Sequence, residues 1–217
     1  MPTKLRGLLV DYGGVLTSPL AEATNAWLRA DGIDPGRFGR LVRSWLSSDA
    51  EPNAVHDLET GRMSAADFER VLAAELLDEP DPGVEHSGPA AAGMLTRMFA
   101  GFRPDTDMID VVRVARAAGI RTGLLSNSWG LDYPRDGWDT LFDTIVISGE
   151  VGLRKPDPAI YKLAAERLEL SPNQVVFVDD LAPNVRAAAA VGMVGVHHTD
   201  VEATVGELEI LLGVSLR

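Results

Sequence analysis

The chain has 217 residues, 46% of them hydrophobic, and a formal charge of -12 from 32 acids against 20 Lys and Arg. That suits one packed domain, or a core domain carrying a smaller insert, and so acidic a surface repels phosphate backbones and anionic bilayers, which argues against nucleic acid and membranes as partners. With no cysteine, disulfides, thiolate catalysis and cysteine-based zinc sites are excluded.

The opening segment MPTKLRGLLVDYGG holds an apolar run too short for a signal peptide. No stretch approaches the ~20 apolar residues that a membrane span needs. A soluble, cytoplasmic protein is expected, as a monomer or homodimer.

Residues 4–10 read as a buried strand that delivers Asp11 into a turn containing Gly13 and Gly14. From Leu20 the period becomes helical, with Ala23, Ala26, Trp27 and Ala30, then Phe38, Leu41, Val42, Trp45 and Leu46. Within 58–76, Ser64 followed three residues on by Asp67 is a helix start signal. The acidic, Pro- and Gly-rich stretch 78–90 predicts a loop, and a helix follows around 90–101. Residues 17–101 are thus mostly helical, with no convincing strand.

Strands and helices alternate after that. Helix is predicted over 105–118, 157–168, 183–191 and 202–212, and strand over 120–128, 143–148, 174–180 and 194–198. Apolar, β-branched strands alternating with helices specify an α/β protein whose parallel sheet is covered on both faces. Ligands of such sheets sit at the carboxyl ends of the strands.

That rule gathers scattered residues into one site. The first strand ends in Asp11, the strand at 120 ends in Ser126-Asn127-Ser128, and the strand at 174 ends in Asp179-Asp180. Lys155 lies in the loop GEVGLRKPDP, stiffened by Pro156 and Pro158. Taken singly, each has an ordinary explanation: a turn residue, a helix cap, a solvated lysine. Taken together, three carboxylates without histidine suit a hard cation such as Mg²⁺, while Ser126, Asn127 and Lys155 suit the oxygens of a phosphate.

The segments DYGGVL, LLSNS, RKPDPAIY and VFVDDLAPNVRAAAAVGM resemble the four motifs of the haloacid dehalogenase (HAD) superfamily, from Leu8 to Met193. The FVDD form is most similar to the phosphatase-like domains fused to some epoxide hydrolases. The resemblance implies a Rossmann-like core over 1–16 and 102–217, with 17–101 inserted as a helical cap. It implies that Asp11 is the nucleophile that becomes an aspartyl phosphate, that Ser126 bonds the phosphoryl group, and that Lys155 neutralises charge between them. Asp11, the Gly13 carbonyl, Asp179 and Asp180 would hold Mg²⁺, with Asn184 supporting the loop. A small phosphorylated metabolite is the implied substrate.

The sequence departs from the superfamily's phosphatases at Gly13, where they usually carry a second Asp that protonates the leaving group. A positioned acid is worth ~10²–10⁴-fold, so a catalytically weak phosphate-binding or regulatory protein is the alternative. Gly13 is also a candidate for a backbone conformation that only glycine accepts. A haloacid dehalogenase is less consistent with Gly13, where an aromatic residue is typical, and with the Asp179-Asp180 pair. Phosphonate cleavage would need a cap lysine, and 17–101 contain none.

Of the remaining candidates, His197 and His198 read as ordinary strand-end residues. Trp27 and Trp45 read as cap core, and Trp129 and Trp138 as flanking an entrance. Arg29, Arg40 and Arg43 are candidate specificity residues. Asp11 and Lys155 are expected at the sheet's edge, away from the apolar core, so that Asp11→Asn and Lys155→Ala leave the fold intact.

Overall fold

The computed structural model describes residues 4–47, 53–77, 91–130 and 132–217; the loop expected over 78–90 lies outside them. In chain order the elements are β1 (Gly7–Val10), α1 (Leu20–Ala30), α2 (Pro35–Ser47), α3 (Ala54–Glu59), α4 (Ala65–Leu77) and α5 (Met94–Phe99). Then come α6 (Thr106–Ala117), β2 (Arg121–Ser126), α7 (Trp138–Leu141), β3 (Thr144–Ile147), α8 (Ser148–Val151), α9 (Pro158–Arg167), β4 (Val175–Asp179), α10 (Ala182–Ala190), β5 (Val194–His197) and α11 (Val201–Leu212).

The five strands form one sheet in the order β3-β2-β1-β4-β5, every pairing parallel. Successive side chains of a strand point to opposite faces, and β1 shows the consequence. Leu8 and Val10 join a cluster with Met108, Val111 and Val112 of α6 and with Val205, Leu208 and Leu212 of α11. Leu9 joins the opposite one, with Ile160, Tyr161 and Ala164 of α9 and Ala188 of α10. Helices therefore cover both faces, and all five α/β strands expected from the sequence are present.

Helix starts follow their side-chain signals. Ser64 Oγ accepts from Asp67 N at 3.1 Å, Asp105 accepts from Met108 N at 2.9 Å and Asp200 from Ala203 N at 2.8 Å, each satisfying a donor that the first turn leaves open. Several expected elements are shorter at their ends; the strand over 120–128, for one, is Arg121–Ser126. The strand over 4–10 begins at Gly7, beyond the exposed Arg6, and the helix over 90–101 is Met94–Phe99, entered through Gly93 at φ 72°.

Helices α1–α5 enclose a third cluster containing Trp27, Val55, Leu58, Phe68, Leu72, Met94 and Met98, with Trp45 packed against it. Buried Glu69 accepts from Gly93 N at 2.8 Å and Leu95 N at 2.9 Å, joining α4 to the start of α5. The chain leaves the sheet and returns at adjoining points: Thr17 bridges Pro104, Ser18 N donates to Arg103 O at 2.8 Å and Asp105 N to Leu16 O at 2.9 Å. Among the described residues, no helix is long and apolar enough to cross a membrane.

Candidate active site

Four polypeptide segments meet at the carboxyl edge of the sheet. Asp11 extends β1, its N–H donating to Val178 O of the neighbouring β4 at 2.9 Å. The turn that follows places Gly14 at φ 73°, where a Cβ would stand 2.4 Å from Asp180 Oδ2. Glycine is therefore needed at 14, both for its left-handed backbone and for the close approach of a carboxylate. Gly13 is not in the left-handed region, and a Cβ there would meet nothing within 4 Å. The glycine-only backbone conformation expected at Gly13 is thus found at Gly14 instead, and the turn has room for a side chain at 13.

Lys155 lies in the turn before α9 and is 1% exposed. Its Nζ donates to Asp11 Oδ1 at 2.8 Å and to Asp179 Oδ2 at 2.7 Å, and stands 5.4 Å from the centre of the Phe177 ring. The expectation that Lys155 sits apart from the core is corrected here, because a cation can be buried at this depth only by bonding both carboxylates. Asn127, following β2, holds the lysine's backbone from both sides: Lys155 N donates to Asn127 Oδ1 at 2.8 Å and Asn127 Nδ2 to Lys155 O at 3.0 Å.

Asp179, fully buried, also accepts from Leu181 N at 2.8 Å and from Asn184 Nδ2 at 3.1 Å. Tyr161 Oη in turn donates to Asn184 O at 3.0 Å. Ser126 ends β2 with its hydroxyl 2.9 Å from Tyr133 Oη. His197 bonds only the main-chain oxygen of Asp180, at 2.9 Å, and His198 bonds Thr204 Oγ1 at 2.9 Å. Neither histidine reaches a carboxylate through these bonds.

Burial dominates the electrostatics. It raises Asp11 to about 7, against the opposing pull of Lys155, with Asp179 adding to the rise. Asp180 is raised to about 6 by burial and then by Asp179. Burial alone would lower Lys155, but Asp11 and Asp179 more than reverse it and hold the ammonium above its ordinary value. One carboxylate oxygen each of Asp11, Asp179 and Asp180 lie within 4.8 Å of one another. An all-oxygen donor set of this kind fits a hard divalent cation such as Mg²⁺.

Other residues were not legible in the sequence. Glu59, at the end of α3, is 4% exposed and accepts from Arg154 Nε at 2.5 Å; burial raises it and Arg154 opposes. Its backbone oxygen accepts from Ser148 Oγ, whose oxygen accepts from Ser128 N at 2.7 Å. The helical segment thereby touches both loops that carry Asn127 and Lys155. An acid in a helical stretch gives no sign that it will be buried.

A cavity of about 620 Å³ opens between the α3–α4 segment and the strand ends of β2 and β3, lined by Leu58, Met63 and Ser64 on one side and Ser128, Tyr133 and Ile147 on the other. Its aromatic wall is Tyr133. Trp138 is 7% exposed in the core against Tyr12, Tyr133 and Phe142, and Trp129 packs on Phe68 and Phe99. Arg29, Arg40 and Arg43 are exposed and do not line it.

Two curated relatives and one solved structure bear on this site. A sesquiterpene phosphatase of Aspergillus oryzae is 39% identical over 131 residues, covering 58% of this chain and 66% of its own. Bifunctional epoxide hydrolase 2 of Sus scrofa is 32% identical over 222 residues, covering 98% of this chain and 40% of its own. The chain therefore spans less than two thirds of either relative. The crystal structure of a HAD-family enzyme of Bacteroides thetaiotaomicron, in complex with magnesium and inorganic phosphate, shares the fold with a TM-score of 0.58 at 19% identity, over 89% of this chain and 93% of that one. Residues 5–192 match the haloacid dehalogenase-like hydrolase family, and the chain belongs to it.

Proposed function

We propose that this hydrolase is a Mg²⁺-dependent phosphatase that cleaves a small phosphorylated metabolite through an aspartyl phosphate. The observation that carries the reading is the buried Asp11–Lys155–Asp179 arrangement with Asp180 beside it. The phosphatase relative, and the magnesium and phosphate in the fold neighbour, support it.

Tyr12 N, at 2.7 Å, and Lys155 both hold Asp11 Oδ1, which leaves Oδ2 as the attacking atom. Its bond to phosphorus forms as the ester P–O bond breaks, and the leaving oxygen departs with the bonding electron pair as an alkoxide that takes a proton from solvent. Water then attacks phosphorus, releasing inorganic phosphate and restoring the carboxylate. Lys155 balances charge on the phosphoryl oxygens and Ser126 donates to one of them. Asp11, Asp179 and Asp180, with the Gly13 carbonyl, would hold Mg²⁺, which supplies further positive charge to those oxygens. Helices α1–α5 act as a cap, with the alcohol part of the substrate in the cavity beneath. Residues 17–101 are this cap and 1–16 with 102–217 the catalytic core.

Gly13 favours a second reading, a phosphate-ligand binding or regulatory protein with little turnover. A phosphate-release screen over phosphorylated metabolites with Mg²⁺, alongside Asp11→Asn, separates the two. The phosphatase reading expects Mg²⁺-dependent release that Asp11→Asn abolishes; ligand binding without release would overturn it.

A further inference from the structure

Resting on the phosphatase reading, the geometry points to Tyr133 as a catalytic residue whose phenol donates a hydrogen bond to the leaving-group oxygen, in the place of the acid that Gly13 lacks. The phenolic oxygen stands 2.9 Å from Ser126 Oγ, the hydroxyl that faces the phosphoryl group. The same side chain lines the cavity that would receive the alcohol part of the substrate. Tyr133 therefore stands where the phosphoryl group and its leaving group meet.

The ring is held for that task. It packs edge-on against Tyr12, the neighbour of Asp11, at 5.1 Å between centroids, and against Trp138 at 5.7 Å. The space that an acid at 13 would occupy is open, with nothing within 4 Å of a Cβ placed there. Burial holds the phenol up at about 12, and both Asp11 and Lys155 act on it electrostatically. It is thus a neutral donor close to the reacting groups at ordinary pH. The phenol also donates to Asn127 O, at a longer 3.4 Å; bound substrate would take over Ser126, and the phenolic hydrogen would turn from that long bond to the leaving oxygen. Tyr133 keeps its proton; the departing alkoxide collects one from solvent.

A hydrogen bond to developing negative charge matters most when the leaving group is a poor one. The test compares kcat/KM of wild type and Tyr133→Phe, with Mg²⁺, on 4-nitrophenyl phosphate and on a primary alkyl phosphate. The expected loss is about 10- to 100-fold on the alkyl ester and much smaller on the nitrophenyl ester. The same difference should persist in a Ser126→Ala background, because the phenol acts on substrate and not through the serine. Equal losses on both esters, no loss, or an effect that vanishes with Ser126→Ala would overturn the inference. Activity of the wild type on either ester sustains the phosphatase reading whatever the variant does. A wild type inactive on every ester refutes that reading, and this inference with it.

Discussion

Lys155→Met removes the one ammonium shared by Asp11 and Asp179 while keeping a long unbranched side chain. Both ion-pair contacts are below 3 Å, and the side chains of Lys155, Asp11 and Asp179 are 1%, 11% and 0% exposed. Solvent therefore screens little of the interaction. Breaking a buried pair by removing one partner costs ~3–5 kcal/mol, because the other charge is left uncompensated. That is a large share of the roughly 5–15 kcal/mol by which an ordinary domain is stable. Burial already raises Asp11 to about 7 against the pull of Lys155, and without the lysine it rises further. A carboxyl whose folded pKa exceeds its unfolded one stabilises the fold at low pH, and that stability is lost as pH rises through the folded pKa. The defect should therefore be larger at pH 8 than at pH 5, growing by up to about 1.4 kcal/mol per pH unit for each extra proton held by the variant's native state. Urea unfolding of both proteins at the two pH values, in EDTA, measures it. Millimolar Mg²⁺ should restore part of the loss by supplying another positive charge. A cost below about 1 kcal/mol at pH 8 would refute the reasoning, as would a defect that grows on acidification.

Gly13→Asp fits the open space at 13 and should raise turnover of alkyl phosphates by about 10²-fold, the lower end of what a positioned acid gives; an unchanged alkyl rate in a folded variant counts against the missing-acid account. Gly14→Ala should weaken Mg²⁺ binding and stability together, since its Cβ would stand 2.4 Å from Asp180 Oδ2 at φ 73°; thermal melts with and without metal read both effects. Mg²⁺ must displace protons from Asp11, at about 7, and Asp180, at about 6, so its affinity should rise from pH 5 to pH 8 with proton release on binding. Calorimetry in two buffers of different ionisation enthalpy checks this, and a flat pH profile contradicts it. Glu59→Gln should destabilise the fold by about 1–3 kcal/mol by leaving Arg154 without its anion, and should lower kcat/KM by loosening the loop beside Lys155. If neither changes, the Glu59–Arg154 pair does not couple the helical segment to the site.

The alternation of apolar strands with amphipathic helices after residue 102 determined the α/β class, because strands buried on both faces must be apolar throughout. Placing Asp11, Ser126, Lys155 and Asp179-Asp180 at one edge followed from the rule that a parallel sheet presents its strand ends together. Local caps such as Ser64 were equally legible, since the donor and acceptor lie within one turn of chain. Sequence alone did not separate Gly13 from Gly14: their difference lies in one dihedral angle and in the approach of Asp180 from another strand. The burial of Lys155 also depended on tertiary structure, because a lysine beside two prolines reads as exposed until β1 and β4 bring two carboxylates to it. Glu59 and Tyr133 reach the site across 95 residues to Arg154 and seven to Ser126. Neither lies in a recognisable motif, and only tertiary packing decides that their polar atoms face Arg154 and Ser126 rather than water.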